Sequence, residues 1–367
     1  FHIIALARLD PAMAEAELKT LLWAQREDGF IGHLTYWGRR GAFMSALYGQ
    51  SRIGEWRRRH SGIIQPPVLA QALGELWRQT QDPKLLKNYL PKVRAYYEWL
   101  HCERDPDGIG LIGIISPYES GTDNNPSFDR ELGLSNPRRL GILWANRKLD
   151  WYNAICGRNF HYRSLVLRDR FIVIDPFINS VYADAWNALA ALHKVDGDSE
   201  AASDASHKAE VTTAALNERC WDSELGRYVY LTGSDQIPDR TLSVGAIFPL
   251  ILKDAPADRV ASVMERYVTA SKHFWRPFPV PSVAASEKSY DPEGESMIWR
   301  GPTCMNINWL LARGFTANGY TEEAKVISDR SKEVALRDFR EFYSPETGKG
   351  IRGTKFGWAT AAVAIDG

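Results

Sequence analysis

Three features of the 367-residue sequence predict an all-α toroid built from helix pairs. Apolar residues recur at three- and four-residue spacing from end to end, strand-like segments are few and short, and the links between periodic stretches alternate between short and long. In chain order the stretches are Pro11 to Arg26, Pro67 to Gln81, Leu85 to His101, Pro176 to His193, Glu200 to Cys220, Leu242 to Leu252, Pro256 to Ser271, Pro302 to Phe315, Thr321 to Ala335 and Phe356 to Ala364. Several open with proline, whose fixed φ and missing N–H suit a first helical turn. Short links at Asp82 to Leu85, Val195 to Ser199, Lys253 to Ala255 and Ala317 to Thr321 mark the turns inside pairs. The long loops then gather at one rim, where a toroid builds its active site. The run Phe1 to Ala7 reads as a truncated first helix, giving about eleven; a closed six-pair toroid needs twelve, so one more helix is expected upstream of Phe1. Arg227 to Tyr230 is the kind of short strand the sequence offers. No fixed repeat suggests a solenoid and no Gly-, Ser- or Pro-rich linker divides the chain, so residues 1–367 are expected to form one domain.

Composition narrows the function. Lysine plus arginine equals aspartate plus glutamate at 45 each, so no net field recruits nucleic acid or an anionic membrane, and a neutral substrate fits better. The basic run Arg57-Arg58-Arg59 reads as a solvated loop, because no aromatic stacking pattern accompanies it. Cys102, Cys156, Cys220 and Cys304 are scattered without a CxxC pair, which argues against a zinc ribbon or a disulfide framework and leads us to expect a reducing, cytoplasmic compartment. No stretch reaches the roughly 18 uninterrupted apolar residues of a membrane span. The supply of 13 Trp, 15 Tyr and 14 Phe suits both core packing and the flat apolar faces of sugar rings, which indole covers while its N–H finds a polar partner.

Three long loops concentrate acids beside aromatics. One runs Ser116 to Asp129 and holds Glu119, Asp123 and Asp129 among turn-forming Gly, Asn and Pro. A second holds Ser289-Tyr290-Asp291-Pro292-Glu293-Gly294-Glu295 and then Trp299-Arg300-Gly301-Pro302. The third is Glu341-Phe342-Tyr343-Ser344-Pro345-Glu346-Thr347-Gly348. Glycoside hydrolysis needs a protonated carboxyl to donate to the leaving oxygen and, for inversion, an ionised one to activate water across the ring. Two carboxylates on different loops of one rim meet that need. The competing chemistries lack support. The eight histidines form no HxxxH or HExxH pair for a metal, and GxSxG and P-loop patterns are absent. The GxGxxG match at Gly108 to Gly113 follows a helical run and leads into Ser116-Pro117, whereas a dinucleotide site needs a strand before it and a helix after it. No cofactor or metal is expected.

The segment Glu119-Ser120-Gly121-Thr122-Asp123-Asn124-Asn125-Pro126 resembles the E-S-G-x-D-N-S-P signature of glycoside hydrolase family 63 and its bacterial relatives, which include hydrolases of glucosylglycerate and mannosylglycerate. The similarity extends to Ser61 to Pro67, Trp299 to Pro302, Glu341 to Gly348 and Trp358 to Ala361, in the family's order and across nearly the whole chain. The resemblance implies an (α/α)6 barrel and an inverting α-glycosidase, with Asp123 at the general acid's position and Glu341 at the general base's. Asp129 and Glu346 are the rivals within the same loops. The resemblance further implies sugar-pocket roles for Gln65, Glu119, Gly121, Asn124, Trp299, Arg300, Gly301 and Trp358. Where the glycosylglycerate hydrolases carry a tyrosine before W-R-G-P and a glutamine before the late tryptophan, this chain has Ile298 and Phe356, which speaks against a glycerate aglycone. The family's early W-x-W-D block is absent from the sequence. The expected substrate is a small α-glucoside or related α-linked sugar. A trehalase-like, rhamnosidase or epimerase activity on the same barrel, or an inactive sugar-binding protein, are the alternatives. Asp123 is expected to hold its proton near neutral pH through burial, and Glu341 to stay ionised among hydrogen-bond donors.

Overall fold

Aspartate and proline set several of the helix starts. Asp10, Asp82 and Asp175 each precede a proline in the first helical turn, and their carboxylates accept the backbone N–H of Met13, Lys84 and Phe177. Asp198 caps Ala201 in the same way. Each such cap satisfies a donor that has no partner inside the helix. The computed structural model describes residues 1–38, 60–135, 137–157 and 159–365, so the Arg57 to Arg59 run lies outside the described residues. Its helices are α1 (His2–Leu9), α2 (Pro11–Trp23), α3 (Leu69–Thr80), α4 (Pro83–Arg104), α5 (Arg139–Ile155), α6 (Tyr162–Val166), α7 (Pro176–Asp196), α8 (Ser199–Arg219), α9 (Ala257–Val263), α10 (Met305–Ala317) and α11 (Thr321–Arg337).

Consecutive helices pack as neighbours: α1 with α2, α3 with α4, α7 with α8, α10 with α11. Across the pairs, α1 packs on α3, α3 on α7, and α7 on the segment Val244–Ile251. That segment packs on α10, α10 on Gly357–Ala364, and Gly357–Ala364 returns to α1. The core between them is aromatic. Trp186 and Trp309 are fully buried, Tyr97 lies 5.7 Å from Trp186, and Phe177 meets Phe248 edge-on at 4.2 Å. Part of the tryptophan supply is therefore packing.

Several expectations need correction. Leu242 to Leu252 and Phe356 to Ala364, expected as α-helices, form the 3₁₀ segments Val244–Ile251 and Gly357–Ala364. In the first, Pro249 has no N–H to give, and its ring crowds the carbonyl four residues back. The fold is helix-rich rather than all-helical. Among the described residues, seven short strands form three small antiparallel sheets: β1 (Val173–Ile174) with β4 (Tyr230–Thr232) and β5 (Ile237–Asp239), β2 (Trp221–Asp222) with β3 (Arg227–Tyr228), and β6 (Arg340–Tyr343) with β7 (Gly350–Thr354). Helix α5 was not anticipated. The side chains it buries are Ile142, Asn146, Asp150, Asn153 and Ala154, so its inner face lacks the apolar stripe that reveals a helix. No described helix is long and apolar enough to cross a membrane.

Candidate active site

The loop before Asp123 is fastened by Glu119. Its Oε1 accepts the Ile64 N–H at 2.9 Å and Arg104 Nη2 at 2.5 Å, and its Oε2 accepts the Ile115 N–H and Arg104 Nη1, both at 2.8 Å. Both residues are buried, with side chains 0 and 1% exposed. Every oxygen is thus committed to protein, at a residue for which the resemblance implies a place in the sugar pocket. Glu119 holds Ile64, beside Gln65, to the loop that carries Asp123. Arg104 was missed because an arginine ending a helix reads as surface.

Beyond Glu119 the chain turns tightly. Gly121 sits at φ +68°, where a Cβ would stand 2.5 Å from Pro66 Cγ, so the signature glycine is required by a close approach to the Gln65 segment. Ser120 Oγ accepts the Thr122 N–H, and Asn125 Oδ1 accepts the Ser127 N–H, which opens the turn Pro126–Phe128. Asn124 is buried, and its Oδ1 lacks a hydrogen-bond partner. Gly121→Ala is expected to lower stability by about 2 kcal/mol, from the left-handed backbone alone, and to lower kcat/KM further by pushing Asp123 and Gln65 apart. Thermal melts and steady-state rates check both; an unchanged Tm would show that the turn relaxes freely.

Asp123 and Glu341 are near enough for Glu341's charge to act on Asp123. Asp123 is partly accessible, yet the protein around its carboxyl desolvates it, and with Glu341's repulsion this pushes its pKa to about 7, against the pull of its own backbone N–H. Glu341 lies on β6, whose register pairs Phe342 with Ile351 and Tyr343 with Gly350. Burial raises the Glu341 carboxyl too, while the Gly353 N–H and the Arg352 charge pull it down. The expected donors are present, but desolvation outweighs them. Gly353 leaves room here: a Cβ would sit 3.4 Å from Glu341 Oε2.

The rivals are engaged elsewhere. Asp129 takes a bidentate bond from Arg300, Nη1 to Oδ2 at 3.0 Å and Nη2 to Oδ1 at 2.5 Å. Glu346 takes Arg276 Nε at 2.8 Å, Arg276 Nη2 at 2.7 Å and the Tyr290 hydroxyl at 2.6 Å, and Arg276 holds its pKa below the usual glutamate range. Such forked pairs occupy both carboxylate oxygens and resist replacement by substrate.

Trp299, at φ +64° and buried, meets Phe342 edge-on at 4.9 Å, next to Glu341. Gly301 passes where a Cβ would lie 2.5 Å from the Asp291 carbonyl oxygen. Thr303 and Tyr343 exchange two backbone bonds of 2.8 and 3.0 Å, tying the Trp299 to Pro302 loop to the strand of Glu341. Gln65 and Trp358 share a cavity of about 260 Å³ with His33 and Tyr96. Arg300 and Asp129 line a larger one of about 980 Å³ with Tyr290 and Glu293. Neither lining includes Asp123 or Glu341. Arg352 and His33 were not anticipated, being polar residues in segments without any motif.

Two carboxyls of unlike surroundings, carried by separate elements of a helix-rich fold, are what glycoside hydrolysis requires. Residues 1–359 match the mannosylglycerate hydrolase MGH1-like glycoside hydrolase domain, and the chain belongs to that family. It is 28% identical to the mannosylglycerate hydrolase of Thermus thermophilus, over 98% of this chain and 91% of that protein. It is 24% identical to the glucosylglycerate hydrolase of Mycolicibacterium hassiacum, over 99% and 89%. Among solved structures, the glycoside hydrolase family 63 mannosylglycerate hydrolase from Thermus thermophilus in complex with Tris and D-glycerate superposes with a TM-score of 0.86 at 25% identity, covering all of this chain and 91% of that one.

Proposed function

We propose that the chain is an inverting α-glycosidase on a single (α/α)6 barrel, with Asp123 as general acid and Glu341 as general base. The observation that carries this reading is a desolvated carboxyl near pKa 7 within reach of the charge of a second carboxyl, on strand β6. Asp123 gives its proton to the glycosidic oxygen as the C–O bond to the anomeric carbon breaks. Glu341 takes a proton from water, whose oxygen bonds that carbon from the opposite face. The products are the free alcohol and the sugar hemiacetal of inverted configuration. Asp123 is left ionised and Glu341 protonated, and exchange with solvent resets both. Gln65 and Trp358, with Asn124's unpartnered Oδ1, supply the polar and stacking groups for one ring.

The relatives are named for mannosylglycerate and glucosylglycerate. In this chain the side chains at Ile298 and Phe356 are hydrocarbon, and Phe356 is spent against Trp358, ring centroids 5.5 Å apart. An aglycone other than glycerate fits better, so a panel of α-mannosides and α-glucosides is expected to give higher kcat/KM with a neutral aglycone than with glycerate. Proton NMR of the first-formed product tests the mechanism. An α-glycoside should release the β-anomer first, with Glu341→Gln reducing the rate at least a hundredfold. Initial appearance of the α-anomer would show that Glu341 activates no water, because a retaining pair stands only about 5 Å apart and leaves no room for one.

A further inference from the structure

Helix α5 is built inside out. Toward the protein it turns Asn146, Asp150 and Asn153; Asp150 accepts Ser116 Oγ at 2.9 Å and Asn153 Nδ2 donates to the Ile115 carbonyl at 2.8 Å. Toward solvent it turns Leu140, Trp144, Trp151 and Ile155, exposed by 79, 70, 41 and 58%, with Leu143 at 38%. At about 100° per residue the first four fall within a stripe roughly 60° wide, opposite the buried positions. Lone exposed apolar residues are ordinary, but a continuous stripe of this kind marks an interaction surface.

The arrangement of the stripe selects the occupant. Leu140 and Ile155 lie symmetrically about a point between Arg147 and Lys148, and so do Trp144 and Trp151. A two-fold axis through that point sets two copies of α5 antiparallel, with Leu140 on Ile155 and Trp144 on Trp151 of the other copy. A two-fold interface requires this kind of self-complementarity; a lipid surface or an unrelated protein does not. At the centre, Lys148 lies level with the other copy's two indoles, where a cation–π contact offsets its approach to its own symmetry mate. The composition also fits, since tryptophan and arginine are enriched in protein interfaces and carboxylates depleted. The exposed apolar groups amount to about 500 Å² a side, which with the flanking arginine and lysine stems approaches the roughly 800 Å² per partner of a standard interface. The geometry points to α5 as the two-fold contact of a homodimer, joined through Leu140, Trp144, Trp151 and Ile155.

Sedimentation of the whole protein across a range of concentrations should show a dimer. Trp144→Ser with Trp151→Ser should weaken association at least tenfold, leaving circular dichroism unchanged, because neither indole supports the inner face. Register is tested separately in a Cys102→Ser, Cys156→Ser background. Leu140→Cys alone should not cross-link, its symmetry mate being about 22 Å away along the helices, and neither should Ile155→Cys alone, whereas a mixture of the two should form a disulfide. A monomer at all concentrations, a dimer indifferent to the serine pair, or single variants that cross-link as readily as the mixture would each overturn the proposal. So would monomeric binding to phosphatidylglycerol vesicles that is lost in high salt, the mark of a basic face meeting an anionic membrane.

Discussion

Asp123→Asn is expected to lower kcat on an α-glycoside by about 10²–10⁴-fold, the usual contribution of a positioned proton donor. The pH profile identifies the group. A donor must be protonated, so the wild-type rate should fall as pH rises through about 7, the value to which burial and Glu341 bring Asp123. The base must be ionised, so the rate should also fall on the acid side as Glu341 takes its proton. In the asparagine variant the residual rate should lose the alkaline limb and keep the acid one. Stability should move in the opposite sense. With a pKa raised from 3.8 to about 7, the native state holds a proton that the unfolded chain releases, so Asp123 costs stability progressively as pH rises from about 4 to 7 and fully above that. The variant should therefore be more stable than wild type by ~1–4 kcal/mol at pH 8 and equal to it near pH 4; each pKa unit is worth about 1.4 kcal/mol, and partial solvent access lowers the gain. Denaturant titrations at the two pH values check this. An asparagine variant that kept its rate, or lost stability at pH 8, would remove Asp123 from the acid's role.

Glu119→Ala should have the largest structural effect, a loss of about 3–5 kcal/mol, because it strands the buried Arg104 guanidinium and two backbone N–H donors. Glu119→Gln keeps the shape but loses the charge pairing, and a smaller loss is expected. Its kinetics distinguish a fastening from a contact. If Glu119 only positions the Asp123 loop and the Gln65 segment, the glutamine variant should show lower kcat with an unmoved alkaline limb. A glutamine variant with wild-type melting and a KM defect alone would instead support the sugar-contact reading.

The helical class, the order of the pairs and most helix boundaries were legible in the sequence, because they rest on apolar spacing and on capping by aspartate and proline, which act within a few residues. The acid-bearing loops Ser116 to Asp129 and Ser289 to Pro302 were legible for the same reason, being runs of turn formers beside aromatics, whereas Glu341, expected in a third loop, lies on strand β6. Within those loops chain-local information runs out. Glu119, Asp123 and Asp129 share one segment, and only the tertiary structure separates them: Arg104 comes from the end of α4 to claim the first, Arg300 arrives from 171 residues away to claim the third, and Asp123 is left desolvated opposite Glu341. The β6–β7 hairpin was invisible because its strands are too short to show a period, and α5 because its polar side faces inward. Burial and charge pairing are fixed by residues distant in the chain, so the surroundings of individual carboxylates were decided by packing, while most of the helices and turns around them were decided by local pattern.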